Sequence, residues 1–149
     1  MSDLTFKINA ESASAAKTIV KARNFEIVVD EPESLGGTDS AANPVEYVLA
    51  AFAGCLNVMG HLIAGEMGFK LNGLKIEISG NLNPAKLFGK PSQDRAGYKA
   101  ITVKMLPDTD ADEDTLQEWM HKVEERCPVS DNLQNITPVK VELGKPELV

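Results

Sequence analysis

Cysteine is almost missing from this chain of 149 residues: Cys55 and Cys127 are the only two. Histidine is equally scarce, with His61 and His121, and no Cys-x-x-Cys or His-x-x-x-His spacing occurs. A zinc site needs three or four ligands, so no metal centre is expected. A disulfide scaffold is not needed either, because a domain of about 100–150 residues can bury a sufficient apolar core. Arginine is limited to Arg23, Arg95 and Arg126, and no basic cluster exists. With 22 acidic against 15 basic residues the formal charge is -7, which argues against nucleic acid and anionic membrane as partners. Interdomain linkers, repeats and low-complexity tracts are absent, so residues 1–149 read as a single domain. The first residues lack the basic and apolar regions of a secretory signal and point to a cytoplasmic protein. A permanent structural disulfide is not expected in that compartment.

What the chain does contain is an α+β order of elements. Leu4 to Asn9 and Phe25 to Asp30 alternate like strands, with a third around Lys17 to Lys21. A turn-rich loop from Glu31 to Pro44 holds Gly36-Gly37 and ends on Asn43-Pro44, an N-cap followed by proline at the first helical position. The helix expected from Pro44 to about Met67 is apolar nearly all round, which predicts burial on every side. Glu46, Asn57, His61 and Glu66 interrupt it, so it falls short of the roughly 20 apolar residues of a membrane span. Its small residues Ala50, Ala51, Ala53, Gly54 and Gly60 suit close approach of another helix, and a second subunit is the natural cover. Leu74 to Ser79 and Ile101 to Met105 form a strand pair, joined by a Pro/Gly-rich loop from Asn81 to Gly97. The acidic run from Asp110 to Asp114 opens a second, amphipathic helix, on which Leu116, Trp119, Met120, Val123 and Cys127 share one face. A strand at about Val139 to Leu143 closes the chain.

Both thiols sit in apolar settings, and taken singly each reads as a small core hydrophobe. A Cys55–His61 dyad fails on geometry, since six residues at about 100° each place the two roughly 120° apart around a helix. His61 instead lies one turn from Asn57, as a hydrogen-bonded structural pair. An apolar setting disfavours a thiolate, so a reactive Cys55 calls for a nearby cation. Arg23, Arg95 and Arg126 are the candidates, and each also fits a solvated surface charge. Cys127, at a helix C-terminus, is the poorer attacking group.

Taken together, Asn43-Pro44-Val45-Glu46-Tyr47-Val48-Leu49-Ala50-Ala51-Phe52-Ala53-Gly54-Cys55 and Arg126-Cys127-Pro128-Val129-Ser130 resemble the OsmC/Ohr family of osmotically induced and organic hydroperoxide resistance proteins. The resemblance extends over nearly the whole chain. It implies an intertwined homodimer with the long helices at its centre, and thiol-dependent reduction of organic hydroperoxides without a cofactor. On this reading Cys55 is the peroxidatic cysteine, which passes through a sulfenic acid, and Cys127 resolves it as a disulfide. The reductant would be a dithiol, of the lipoyl type in some members. Phe52, Met59 and Leu62, at i-3, i+4 and i+7 from Cys55, would form an apolar wall for the substrate, with Arg95 nearby.

Two positions depart from the family pattern. Peroxidase members carry glutamate directly after the proline, where this chain has Val45 and places Glu46 one residue later. Nine residues separate Glu46 from Cys55, about 13–14 Å of helical rise, so Glu46 would have to serve the Cys55 of an antiparallel partner helix. Their early-strand arginine has Arg23 as its nearest upstream counterpart here. The rival reading is a non-catalytic domain of the same fold that binds an apolar ligand or senses oxidants through the same thiols.

Overall fold

The computed structural model describes residues 1–146. The chain forms two compact units, one of residues 1–53 and 77–103, the other of residues 54–76 and 104 onward. The architecture is α+β, as expected.

In the first unit β1 (Asn9–Ser12), β2 (Thr18–Ala22) and β3 (Phe25–Val29) make an antiparallel sheet in the order β1-β2-β3, with Asn9 opposite Lys21 and Thr18 opposite Val29. The strand expected at Leu4 to Asn9 begins only at Asn9. Leu4, Phe6 and Ile8 do alternate, but they stand 80%, 87% and 63% exposed with no strand paired to them among the described residues. Alternation alone makes no strand, because backbone N–H and C=O groups need a neighbour to bond.

After β3, the loop is organised by a buried carboxylate. Asp30 accepts hydrogen bonds from Thr38 Oγ1 at 2.6 Å, Ser40 Oγ at 2.8 Å and Ser40 N at 3.0 Å, with Thr38 N at 3.2 Å and the Lys17 ammonium 4.0 Å away. These donors, Thr38 first, hold Asp30 far below the usual carboxylate range. Gly37 is required here, since a Cβ at that position would lie 1.9 Å from the Glu31 carbonyl oxygen.

Helix α1 (Pro44–Met67) has the predicted bounds. Asn43 Oδ1 accepts from Glu46 N at 2.9 Å while Glu46 Oε1 accepts from Asn43 N at 3.1 Å, a reciprocal capping box with Pro44 at N1. The first turn is tied down by Tyr47, whose hydroxyl donates to the Val28 carbonyl, and by Tyr98, whose hydroxyl donates to the Val45 carbonyl at 2.7 Å. Burial on every side is not what α1 shows. Phe52, Leu56, Gly60, Ile63 and Ala64 are buried, a single stripe at helical spacing. Val48, Val58 and Leu62 are exposed on the rest of the surface. Although Glu46, Asn57, His61 and Glu66 interrupt it, α1 is by length and composition long and apolar enough to cross a membrane, contrary to expectation, and 28% of its apolar 18-residue stretch is buried within the chain.

Strands β4 (Gly73–Asn81) and β5 (Ala100–Asp108) pair with each other. The flanking bonds from Asn72 N to Asp108 O and from Lys99 N to Asn81 O set them antiparallel. In the second unit α2 (Glu113–Arg126) starts at Asp112, whose side chain accepts from Thr115 N. Trp119 and Val123 on α2 are 1% exposed and Ile63 is fully buried. Phe69 meets Trp119 edge to face at 6.2 Å, and Trp119 Nε1 donates to the Gly60 carbonyl at 2.8 Å. Met120, expected on the inner face, is 38% exposed.

A short helix α3 (Pro128–Gln134) follows, unforeseen in the sequence. The closing strand expected at Val139 to Leu143 is absent: residues 136–146 are in neither helix nor strand, and Val139, Val141 and Leu143 are 82%, 90% and 104% exposed. As at Leu4 to Ile8, the alternation is present but no paired edge accompanies it.

Candidate functional site

Cys127 stands at a break between two helices. Its backbone N–H donates to the Val123 carbonyl and closes α2, while its sulfur accepts from Ser130 N at 3.4 Å and caps α3. Pro128 causes the break: it disfavours helical geometry in the residue before it, and Cys127 lies at φ -79° and ψ 112°. Pro128 then starts the new helix from N1, where its missing N–H costs nothing. Cys127 therefore does not simply face the negative end of a helix, because the first amides of α3 also point toward it.

This junction brings the two thiols together. Cys127 Sγ lies 2.9 Å from Cys55 Sγ, although 72 residues separate them. Both are free thiols, Cys127 fully buried and Cys55 partly open. Burial, followed by the hydrogen bond to Cys55, pushes the Cys127 thiol up from its ordinary value, and the amides of Ser130 and Val129 oppose that rise. Burial and the neighbouring sulfur thus both favour the neutral thiol form of Cys127.

Next to Cys127 in sequence, Arg126 Nη1 meets Glu66 Oε2 at 2.5 Å and Arg126 Nη2 meets Glu66 Oε1 at 3.1 Å. This forked ion pair lowers the Glu66 carboxyl and raises the Arg126 guanidinium from their usual values. His61 donates from Nδ1 to the Asn57 carbonyl at 3.0 Å. The expected pairing is therefore real, but it uses the backbone of Asn57 and not its side chain. Gly60, expected to admit a partner helix, is filled from within the same chain: a Cβ there would lie 2.9 Å from Leu74 Cδ2 and 3.2 Å from Trp119 Cζ2. Gly54 and Gly65 are the open glycines of α1, where a Cβ would meet nothing within 4 Å among the described residues.

The remaining candidates divide between the units. In the second, Met59 is partly buried and Leu62 is 49% exposed. In the first, Phe52 is 8% exposed and belongs to the buried stripe. Glu46 is engaged in the capping box, and its charge helps raise the Tyr98 hydroxyl, after burial. Arg23 occupies the β2–β3 turn at φ 56°, with its guanidinium 4.9 Å over the Phe25 ring. Arg95 lies exposed in the loop between β4 and β5.

The model of the OsmC-like protein family matches residues 37–142. The chain belongs to that family. Solved structures agree on the fold. An OsmC-like protein from Mycoplasma pneumoniae is similar with TM-score 0.79 and 20% identity, over 91% of each chain. An organic hydroperoxide resistance protein OsmC from Legionella pneumophila gives 0.64 and 19%, over 90% of this chain and 92% of that one. An organic hydroperoxide resistance protein from Elizabethkingia anophelis, with thiocyanate bound, gives 0.63 and 19%, over 87% and 88%. No curated protein matches at significant similarity.

In this OsmC-like chain the groups that sequence reading missed are the Glu66–Arg126 pair, the Ser130 amide and the Trp119–Gly60 bond. Pro128 was a local signal for α3 and hence for Ser130. The two α1–α2 links had none, because 60 and 59 residues separate the partners.

Proposed function

We propose that the chain is a cytosolic thiol peroxidase that reduces organic hydroperoxides through Cys55 and Cys127, with no metal or organic cofactor. The observation that carries this reading is the sulfur–sulfur approach of 2.9 Å between an accessible and a buried thiol. Cys55 attacks the distal peroxide oxygen, the O–O bond breaks, and the departing alkoxide takes a proton to leave as alcohol. Cys55 is then a sulfenic acid. Cys127 attacks that sulfur, the S–O bond breaks as the S–S bond forms, and the hydroxyl leaves as water with the thiol proton.

Burial orders the remaining steps. A dithiol reductant reaches the Cys55 sulfur of the disulfide, and Cys127 departs toward the amides of Val129 and Ser130. Because Cys127 is raised, disulfide closure speeds up as pH climbs through the ordinary thiol range and beyond it. Met59 and Leu62, one and two turns along α1 from Cys55, favour a bulky alkyl hydroperoxide over hydrogen peroxide. Arg23 or Arg95 is the proposed cation for the Cys55 thiolate, and Glu46 its carboxylate partner across a homodimer.

That dimer is proposed to form on the open face of α1, where Val48, Val58 and Leu62 are exposed and Gly54 and Gly65 leave room for a second backbone. Light scattering should give twice the protomer mass, and Gly54→Glu should halve it. A stable wild-type monomer would remove the subunit-boundary part of the reading.

Steady-state turnover of an alkyl hydroperoxide with lipoyl dithiol tests the activity, and mass spectrometry tests the roles. After one equivalent of peroxide, Cys127→Ser should carry an oxygen adduct on Cys55, while Cys55→Ser should keep Cys127 as free thiol. An adduct on Cys127 would reverse the roles. A single oxidation without turnover would make the protein a sensor.

A further inference from the structure

The last two turns of α2 have little to fix them. Val123 is the buried apolar side chain there, Met120 is 38% exposed, and Lys122, Glu124 and Glu125 are not buried. Trp119, bonded to the Gly60 carbonyl, lies two helical turns before Cys127. Immediately after Cys127, Pro128 ends helical continuity, so the thiol rides on a joint between two helices. From the residue just before that joint, the forked Arg126–Glu66 pair ties α2 to α1.

Its anchor on α1 is well placed. Eleven residues separate Glu66 from Cys55, about 1,100° of helical rotation and about 16 Å of rise, so the two side chains lie on one line of the helix three turns apart. One line of α1 therefore supplies both the sulfur that meets Cys127 and the carboxylate that meets its neighbour Arg126.

We propose that Arg126 and Glu66 are positioning residues that hold Cys127 against Cys55, so that they govern closure of the disulfide and leave peroxide attack untouched. The closure step rests on the peroxidase reading, whereas the juxtaposition does not. Neither residue touches the sulfurs. Both side chains are about half exposed, at 41% and 48%, so the effect is modest and weakens with salt. The fork of two parallel bonds lifts it above an ordinary surface pair.

Equilibration of the whole protein in dithiothreitol redox buffers reads the Cys55–Cys127 disulfide without any peroxide. Arg126→Ala and Glu66→Gln should each shift the equilibrium constant toward the dithiol by about two- to fivefold at low salt, the range available to a favourable exposed pair. Arg126→Lys should keep part of the effect. Combining Glu66→Arg with Arg126→Glu should restore most of it, which a merely structural role for Arg126 would not predict. Rapid mixing with an alkyl hydroperoxide should show the same rate of oxygen transfer to Cys55 in every variant, with only the later closure slowed.

An unshifted equilibrium in the single variants overturns the proposal, as does an exchanged pair that folds by circular dichroism without recovering. If the single variants unfold, Arg126→Lys and the exchanged pair decide, since both must then hold the disulfide closer to wild type. A protein that shows the redox shifts but no peroxide reaction at Cys55 sinks the peroxidase reading and leaves the positioning role standing.

Discussion

The two compact units are held together by different forces. The first turns on Asp30, a carboxylate with no solvent exposure that collects Thr38 and Ser40 and draws the loop before α1 into one shape. The second turns on Trp119, an indole packed against Gly60 and Phe69 with its N–H bonded to a helix carbonyl. A polar centre depends on ionisation and on each donor, so it should fail in acid. An apolar centre depends on volume, so it should fail by cavity or by crowding. The thiol pair belongs to the second unit, and its geometry inherits the tolerance of that packing.

Substitutions can break this contrast. Trp119→Ala should have the largest effect, about 3–5 kcal/mol of unfolding free energy, as for other large aromatic truncations. It should also increase Cys127 reactivity toward a thiol reagent, because the α1–α2 contact loosens; urea unfolding and thiol labelling read the two. Asp30→Asn should come next, seen as a lower urea midpoint and a flatter acid limb. The sign follows from its depressed ionisation. The stabilisation is complete above the ordinary carboxylate pKa of about 4 and is lost as pH falls toward the lower folded value. A wild-type midpoint that holds steady from neutral pH down to strong acid would refute this centre.

Gly60→Ala should cost about 1–3 kcal/mol by overpacking against Trp119 and Leu74, and it should do so at every protein concentration. Gly54→Glu, on the open face, should instead act only through concentration-dependent association. A concentration-dependent loss in Gly60→Ala would erase the distinction between the two faces of α1. The smallest effect belongs to Glu66. Arg126 depresses its carboxyl, so the stability it contributes is present above the usual glutamate range and fades as pH falls through the lowered value. Carboxyl titration by NMR should find Glu66 below an unpaired glutamate, and Arg126→Ala should return it to the ordinary range.

Local chemistry was legible in the amino-acid order. Asn43-Pro44 with Glu46 set the start of α1, because a capping box and a proline at N1 act within one turn. Period-two alternation located β3, β4 and β5, and the two cysteine motifs together identified the family. The same signal misled at Leu4 to Ile8 and Val139 to Leu143, where alternation exists without a paired neighbour. Residue order records which faces are apolar but not which of them finds a partner. Only the tertiary structure decided that Phe52, Leu56, Gly60 and Ile63 form the inner stripe of α1 and that Gly60 serves Trp119 in place of a second helix. It also brought Cys127 to Cys55 and Arg126 to Glu66. Each of these contacts joins residues about 60 or more positions apart, and no local propensity or period carries information across that distance. The packing of α2 on α1 supplies it.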